Sequence, residues 1–324
     1  MFKRALRTVG EHVIGTAFSV FPGLKKRTLG NITVFIFHEV NDSPSEFTNR
    51  WGLGLTEKTF QTQISWINDN FNIIHPNLLL EKNAAKLPEC AAVITFDDGF
   101  AGAFENGISY LVKNSIPCIM FLNMRTVLER RAMLSALVFY LETYVPAFLE
   151  FVKTEKIAPP TFLNFTPEQL KKYETQHGPI DMSEAIKYQG EVADLDLVKK
   201  WGKNELVVLG NHLFDHWNST ALSPEQFSDQ YQKNVQALHN INSKAEFFSF
   251  TNGQPGKCFS DRDVELLKNL GAHRIFFSLG YANHDTGAYL LDRVSLFERE
   301  NNSRKLWFRM VLDAFLYRSK TSSV

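Results

Sequence analysis

Short apolar runs that recur with helical pattern between them constrain this chain most. "ITVFIF" at 32–37, "AAVITF" at 91–96, "CIMFL" at 118–122, "LVVLG" at 206–210, "FFSF" at 247–250 and "RIFFSL" at 274–279 each have the length of a strand that could serve as a barrel stave. The intervening segments carry helix signals. Phe60, Ile64 and Ile67 form an apolar stripe after Thr56, and Ser223, Pro224 and Gln226 supply a cap, a first-turn proline and a reciprocal capping partner for Phe227, Tyr231 and Leu238. Leu266, Leu267 and Leu270 precede Gly271, a helix stop. Such alternation is the plan of a parallel α/β sheet or barrel.

From about 124 to 203 the alternation lapses. A helix is expected over 132–144, then a Pro159-Pro160 break and a capping signature at Thr166, Pro167 and Gln169, so this stretch reads as a mainly helical insertion. With 324 residues, of which 44% are hydrophobic, the chain can bury a sizeable core. Its 35 basic and 35 acidic residues cancel, so no global field favours nucleic acid as partner. Cys90, Cys118 and Cys258 lack metal or redox spacing and read as free thiols, which fits a reducing compartment.

Two places carry chemistry. Asp97 and Asp98 end the run at 91–96, with Gly99 offering a sharp turn, and the C-terminal ends of parallel barrel strands are where sites are built. Adjacent carboxylates repel and lose solvation when partly buried, so a cation is the leading means of offsetting the cost. Capping of a following helix is the bland alternative. In "LGNHLFDHWNST", His212 and His216 stand four apart after another apolar run, and one helical turn would bring both imidazoles to the same side. Two imidazoles and a carboxylate suit a first-row metal with open positions.

"TFDDG" at 95–99 and "GNHLFDH" at 210–216 resemble the first two signature motifs of the polysaccharide deacetylases, the NodB-homology or carbohydrate esterase family 4 group. "FHEV" at 37–40 resembles the opening strand of some members, and "FFSFTNGQPG" at 247–256 their third motif, more distantly. The resemblance implies a distorted (β/α) barrel, with Asp98, His212 and His216 holding a divalent metal, zinc first, and Asp97 acting as general base. It also implies that His38 could serve as general acid near the leaving group; His284 is a weaker candidate. Where many members carry an arginine that orients the base, this chain has Ser249, Phe250, Thr251 and Asn252, and Arg293 in "LLDRVSL" is the candidate substitute.

The resulting expectation is an N-terminal helical segment at 1–30, a deacetylase-like catalytic domain at 31–300 and an amphipathic tail at 301–324. The activity expected is metal-dependent removal of N- or O-acetyl groups from a sugar or glycan precursor. A non-catalytic sugar-binding descendant that kept its metal is the alternative, and a non-haem iron oxygenase is a further one that the second carboxylate, Asp97, argues against. The N-terminal run shows neither a cleavage site nor the length to span a bilayer, so a cytoplasmic location is expected. Both termini mix basic and apolar residues, Trp307, Phe308, Phe315 and Tyr317 at the C-terminal end, so they could pack on the domain or lie on the inner membrane face.

Overall fold

The computed structural model describes residues 29–80, 87–241 and 243–321, with positions 10, 11, 13 and 15–17. Among the described residues the strands are β1 (Ile32–Phe37), β2 (Glu39–Val40), β3 (Gly54–Leu55), β4 (Asn72–Ile73), β5 (Ala91–Phe96), β6 (Cys118–Leu122), β7 (Val207–Asn211), β8 (Phe247–Ser249), β9 (Arg274–Phe277) and β10 (Leu290–Ser295). The main sheet runs β1-β10-β9-β8-β7-β6-β5-β4, and a further parallel pairing of β1 with β5 closes it into a ring, with β4 left outside on the edge of β5. Every pairing in that sheet is parallel, so all staves end at the same mouth.

The two-residue period of the strands separates two cores. Ile32, Val34, Ala91, Val93, Ile119, Phe121, Phe247, Phe276 and Leu291 point inward and fill the barrel. Their neighbours Phe35, Phe37, Ile94, Phe96 and Met120 point outward, into the layer that includes Phe60, Ile64 and Ile67 of the helix after Thr56. Continued two residues further, the inward series on β5 and β10 reaches Thr95, Asp97 and Arg293, so one alternation makes an apolar plug below and a polar mouth above.

Helices α1 (Glu46–Trp51) and α2 (Glu57–Asn70) follow the first strands, and α3 (Ser109–Lys113) follows a π-helical segment, Ala103–Ile108. Between β6 and β7 lie α4 (Met124–Glu129), α5 (Leu134–Tyr144), α6 (Pro146–Thr154), α7 (Thr161–Asn164), α8 (Pro167–His177), α9 (Met182–Gln189) and α10 (Leu195–Gly202). Then come α11 (Pro224–His239), α12 (Asp261–Asn269) and α13 (Ser303–Thr321). Thr56 caps α2, and Thr166 with Gln169 and Ser223 with Gln226 form capping boxes on α8 and α11.

The sequence reading lacks the two-residue strands β2, β3 and β4 and, in the ring itself, β10. β10 was not expected, because Asp292 and Arg293 interrupt its apolar run, yet both are buried. The cysteines are free, with Cys118 and Cys258 buried. Most of the N-terminal segment expected to be helical lies outside the described residues, as do the side chains of Phe315 and Tyr317. Trp307 is buried edge-on against Trp66 of α2, at 5.0 Å between centroids. Among the described residues no single helix is long and apolar enough to cross a membrane.

Candidate active site

Asp97 and Asp98 follow β5 without a break, but the backbone turns between them. Asp97 continues the ladder, donating its N–H to the Phe37 carbonyl at 3.1 Å, and its side chain enters the barrel. Asp98 (φ 72°) and Gly99 (φ 75°) are left-handed, which turns the second carboxylate away from the first. A Cβ at residue 99 would also meet Leu122 Cδ2 at 2.7 Å, so both φ and space favour glycine there.

Arg293, only 1% exposed, reaches Asp97 with two parallel bonds: Nη1 to Oδ1 and Nη2 to Oδ2, each 2.7 Å. This fork is the strongest geometry available to a guanidinium and a carboxylate. Burial pushes the Asp97 carboxyl up, but Arg293 and His212 outweigh burial and hold it below the ordinary aspartate range. An arginine from β10 therefore contacts Asp97, while the third motif carries none. Neither aspartate caps the following helix, as the bland alternative required; the helix begins at Ala101, whose N–H donates to the Glu191 carbonyl at 3.0 Å.

Asp98, His212 and His216 place donor atoms within 4.8 Å of one another, all three residues buried. His212 Nε2 lies 3.5 Å and His216 Nε2 3.2 Å from Asp98 Oδ1. Ligands of a tetrahedral zinc-like ion, about 2.0–2.1 Å from it, stand roughly 3.3–3.4 Å apart, so these spacings suit a shared ion. Two further observations agree. Asp98 Oδ1 is buried without a hydrogen-bond partner. His212 Nδ1 donates to the Ser249 carbonyl at 2.8 Å, so a neutral His212 presents the Nε2 lone pair to that oxygen. Lone pairs converging on a buried carboxylate need a cation or a proton. Burial lowers the His212 pKa, but Asp97 and Asp98 together raise it above the usual imidazole value. Burial likewise pushes Asp98 up, and the facing imidazoles hold it well below the usual carboxylate range.

The histidines do not share a helical turn. Residues 212–218 form a loop with Leu213 at φ 60° and His216 at φ 42°, and this path brings the rings to 5.1 Å between centroids. Left-handed non-glycine residues cost about 1–3 kcal/mol each and persist only where their surroundings over-determine them. Here Asn211 Oδ1 accepts the Leu213 N–H at 2.9 Å, Asn123 donates to the His212 carbonyl, the Arg125 N–H donates to the Phe214 carbonyl at 3.0 Å, and the Arg125 guanidinium pairs with buried Asp215. Ser135 of α5 meets His216 Nδ1 at 3.2 Å. Sequence reasoning missed Ser135, Ser249, Arg125 and Asp215 as supports; only Asp215, between the two histidines, carried a local signal.

His38 follows β1 at the same mouth, half-buried and facing both aspartates, and burial lowers its pKa against their attraction. His284 is exposed on the loop before β10, where its carbonyl accepts from Asn31 at the opposite end of β1. It is not part of the site. The mouth opens into a cavity of about 910 Å³ with Asp97, Asp98, His212 and His216 in its lining.

A sequence profile described as "Polysaccharide deacetylase" matches residues 84–275. No curated protein matches. Three similar solved structures are the Streptococcus pyogenes deacetylase PplD in complex with acetate (12% identity, TM-score 0.58, covering 86% of this chain and 97% of that one), IcaB from Ammonifex degensii (16%, 0.57, 86% and 97%) and a de-N-acetylase from Aggregatibacter actinomycetemcomitans (15%, 0.57, 86% and 99%). At these identities they share the fold with this chain.

Proposed function

The chain belongs to the polysaccharide deacetylase family, and on that premise we propose that it is a metal-dependent hydrolase removing N- or O-linked acetyl groups from a sugar or glycan precursor. One observation carries this reading: a buried Asp98–His212–His216 donor set beside a second aspartate that has its own arginine. A divalent ion there, zinc first by its donor set, would supply Lewis acidity to a water and to the acetyl carbonyl. Asp98, His212 and His216 would hold it.

Asp97 is the base. The Arg293 fork keeps it ionised at neutral pH and fixes its orientation, so it takes a proton from the attacking water. The water oxygen bonds to the acetyl carbon, the C–N or C–O bond breaks, and the leaving nitrogen or oxygen receives a proton while acetate departs. Asp97, protonated by the first transfer, is one source of that proton. His38 is a relay for it: burial lowers its pKa, so its imidazole takes the proton from Asp97 or from solvent and passes it to the leaving atom.

The test is acetate release from a panel of acetylated sugars by protein stripped and reloaded with zinc, cobalt or iron, with and without oxygen. Metal-dependent, oxygen-independent acetate release is expected. Undiminished release from stripped protein would sink the metal site, oxygen dependence would favour the oxygenase, and stoichiometric metal without acetate from any sugar would favour a binding protein.

A further inference from the structure

The lining of the cavity above the aspartates is of two kinds. Asn252, Gln254 and Lys257 after β8, with Thr220 and with Asn164 of α7, supply polar atoms. The apolar kind comes from α1 and the insertion. Trp51 of α1 lies 4.2 Å from the Phe139 ring of α5, Phe162 of α7 lies 4.7 Å from Phe139, and Leu53, Leu163 and Pro160 extend the surface. Trp51 remains 42% exposed although it sits on this cluster, so it offers an open apolar face at the entrance.

We propose that this wall takes an apolar chain attached to the acetylated sugar, so that the substrate is amphipathic, its sugar over the aspartates and its acyl or prenyl tail along Trp51, Phe139 and Phe162. The inference rests on the deacetylase reading for the sugar end. Pyranose hydroxyls laid across this wall would lose water without gaining partners from Leu53, Leu163 and Pro160, at a cost that methylenes do not incur. The three rings lie within 6.1 Å of one another, a platform continuous with the catalytic cavity. The family motifs supply none of it, since Trp51, Phe139 and Phe162 all lie outside them.

The experiment measures binding of octyl and methyl β-N-acetylglucosaminide, below micelle concentration, and of tri-N-acetylchitotriose to the full chain by calorimetry. Each buried methylene is worth about fourfold, so the octyl glycoside is expected to bind at least about tenfold tighter than the methyl one. Trp51→Ser should shrink that ratio below about threefold and Trp51→Phe should restore most of it, with circular dichroism melts confirming that both fold. Equal affinity of the two glycosides overturns the inference, as does a ratio unaffected by Trp51→Ser, or a larger loss for chitotriose than for the octyl glycoside. Acetate release in the same samples separates the two readings. Release without chain preference removes only the wall; chain preference without release under any metal removes the deacetylase.

Discussion

Adjacent aspartates at the end of β5 face different partners because the backbone separates them. Asp97 keeps the strand's inward direction and meets Arg293, whereas Asp98, left-handed, faces two imidazoles. Asp97→Asn keeps the shape but cannot accept a proton, so acetate release should fall by about 10²–10⁴-fold while elemental analysis still finds the metal. Loss of metal instead would mean that the two roles are reversed. Arg293 is tested by two replacements. Arg293→Met removes the charge that depresses the Asp97 carboxyl, whose pKa then rises, and the acid limb of the kcat/KM profile should move to higher pH. Arg293→Lys keeps the charge but not the fork, so kcat should fall with the limb nearly in place. A limb unmoved by Arg293→Met would show that Asp97 does not set it.

Strands were legible where their residues only pack, and the one in the ring without such a run was missed. β5 and β6 match their apolar runs residue for residue, because burial on both faces leaves one pattern. β10 was obscured by Asp292 and Arg293, which a strand can bury only because partners wait elsewhere: Asp97 for Arg293, and the N–H groups of Leu279, Gly280 and Tyr281 for Asp292. Those partners are distant in sequence, so the exception is invisible until the barrel closes. The HxxxH spacing singled out two residues that the structure does bring together, but on a different backbone. Side-chain bonds from Asn211 and Asn123 hold a loop where four-residue spacing suggested a helix. The insertion was legible as helical, but not its reach into the site through Ser135. Ser135→Ala leaves His216 Nδ1 without its hydroxyl partner, and metal affinity measured by chelator competition should weaken about 10–100-fold, with the far-ultraviolet circular dichroism unchanged. An affinity equal to wild type would make that hydroxyl a bystander.

At the scale of the molecule, the site joins parts of the barrel that the chain visits far apart. Asp98 follows β5, both histidines follow β7, the Ser249 carbonyl that orients His212 closes β8, and Arg293 on β10 reaches back to Asp97. An ion shared by Asp98, His212 and His216 would therefore tie strand ends on either side of β6 that unfolding would separate. Its binding free energy adds to stability because the unfolded chain does not hold the three donors together. At a free metal concentration about 100 times the dissociation constant, the gain is about 2.7 kcal/mol. At roughly 2 °C per kcal/mol for a domain of this size, stripping the metal should lower the midpoint of thermal unfolding by about 5 °C. The Asp98 carboxyl lies well below its unfolded value, so its contribution in the metal-free protein is present at neutral pH and is lost only as pH falls through the folded-state pKa. The loss on stripping at neutral pH is then not a protonation of Asp98. His212→Ala should melt at the same temperature with and without chelator, whereas a wild-type midpoint indifferent to chelation would mean that the three donors converge without holding a metal.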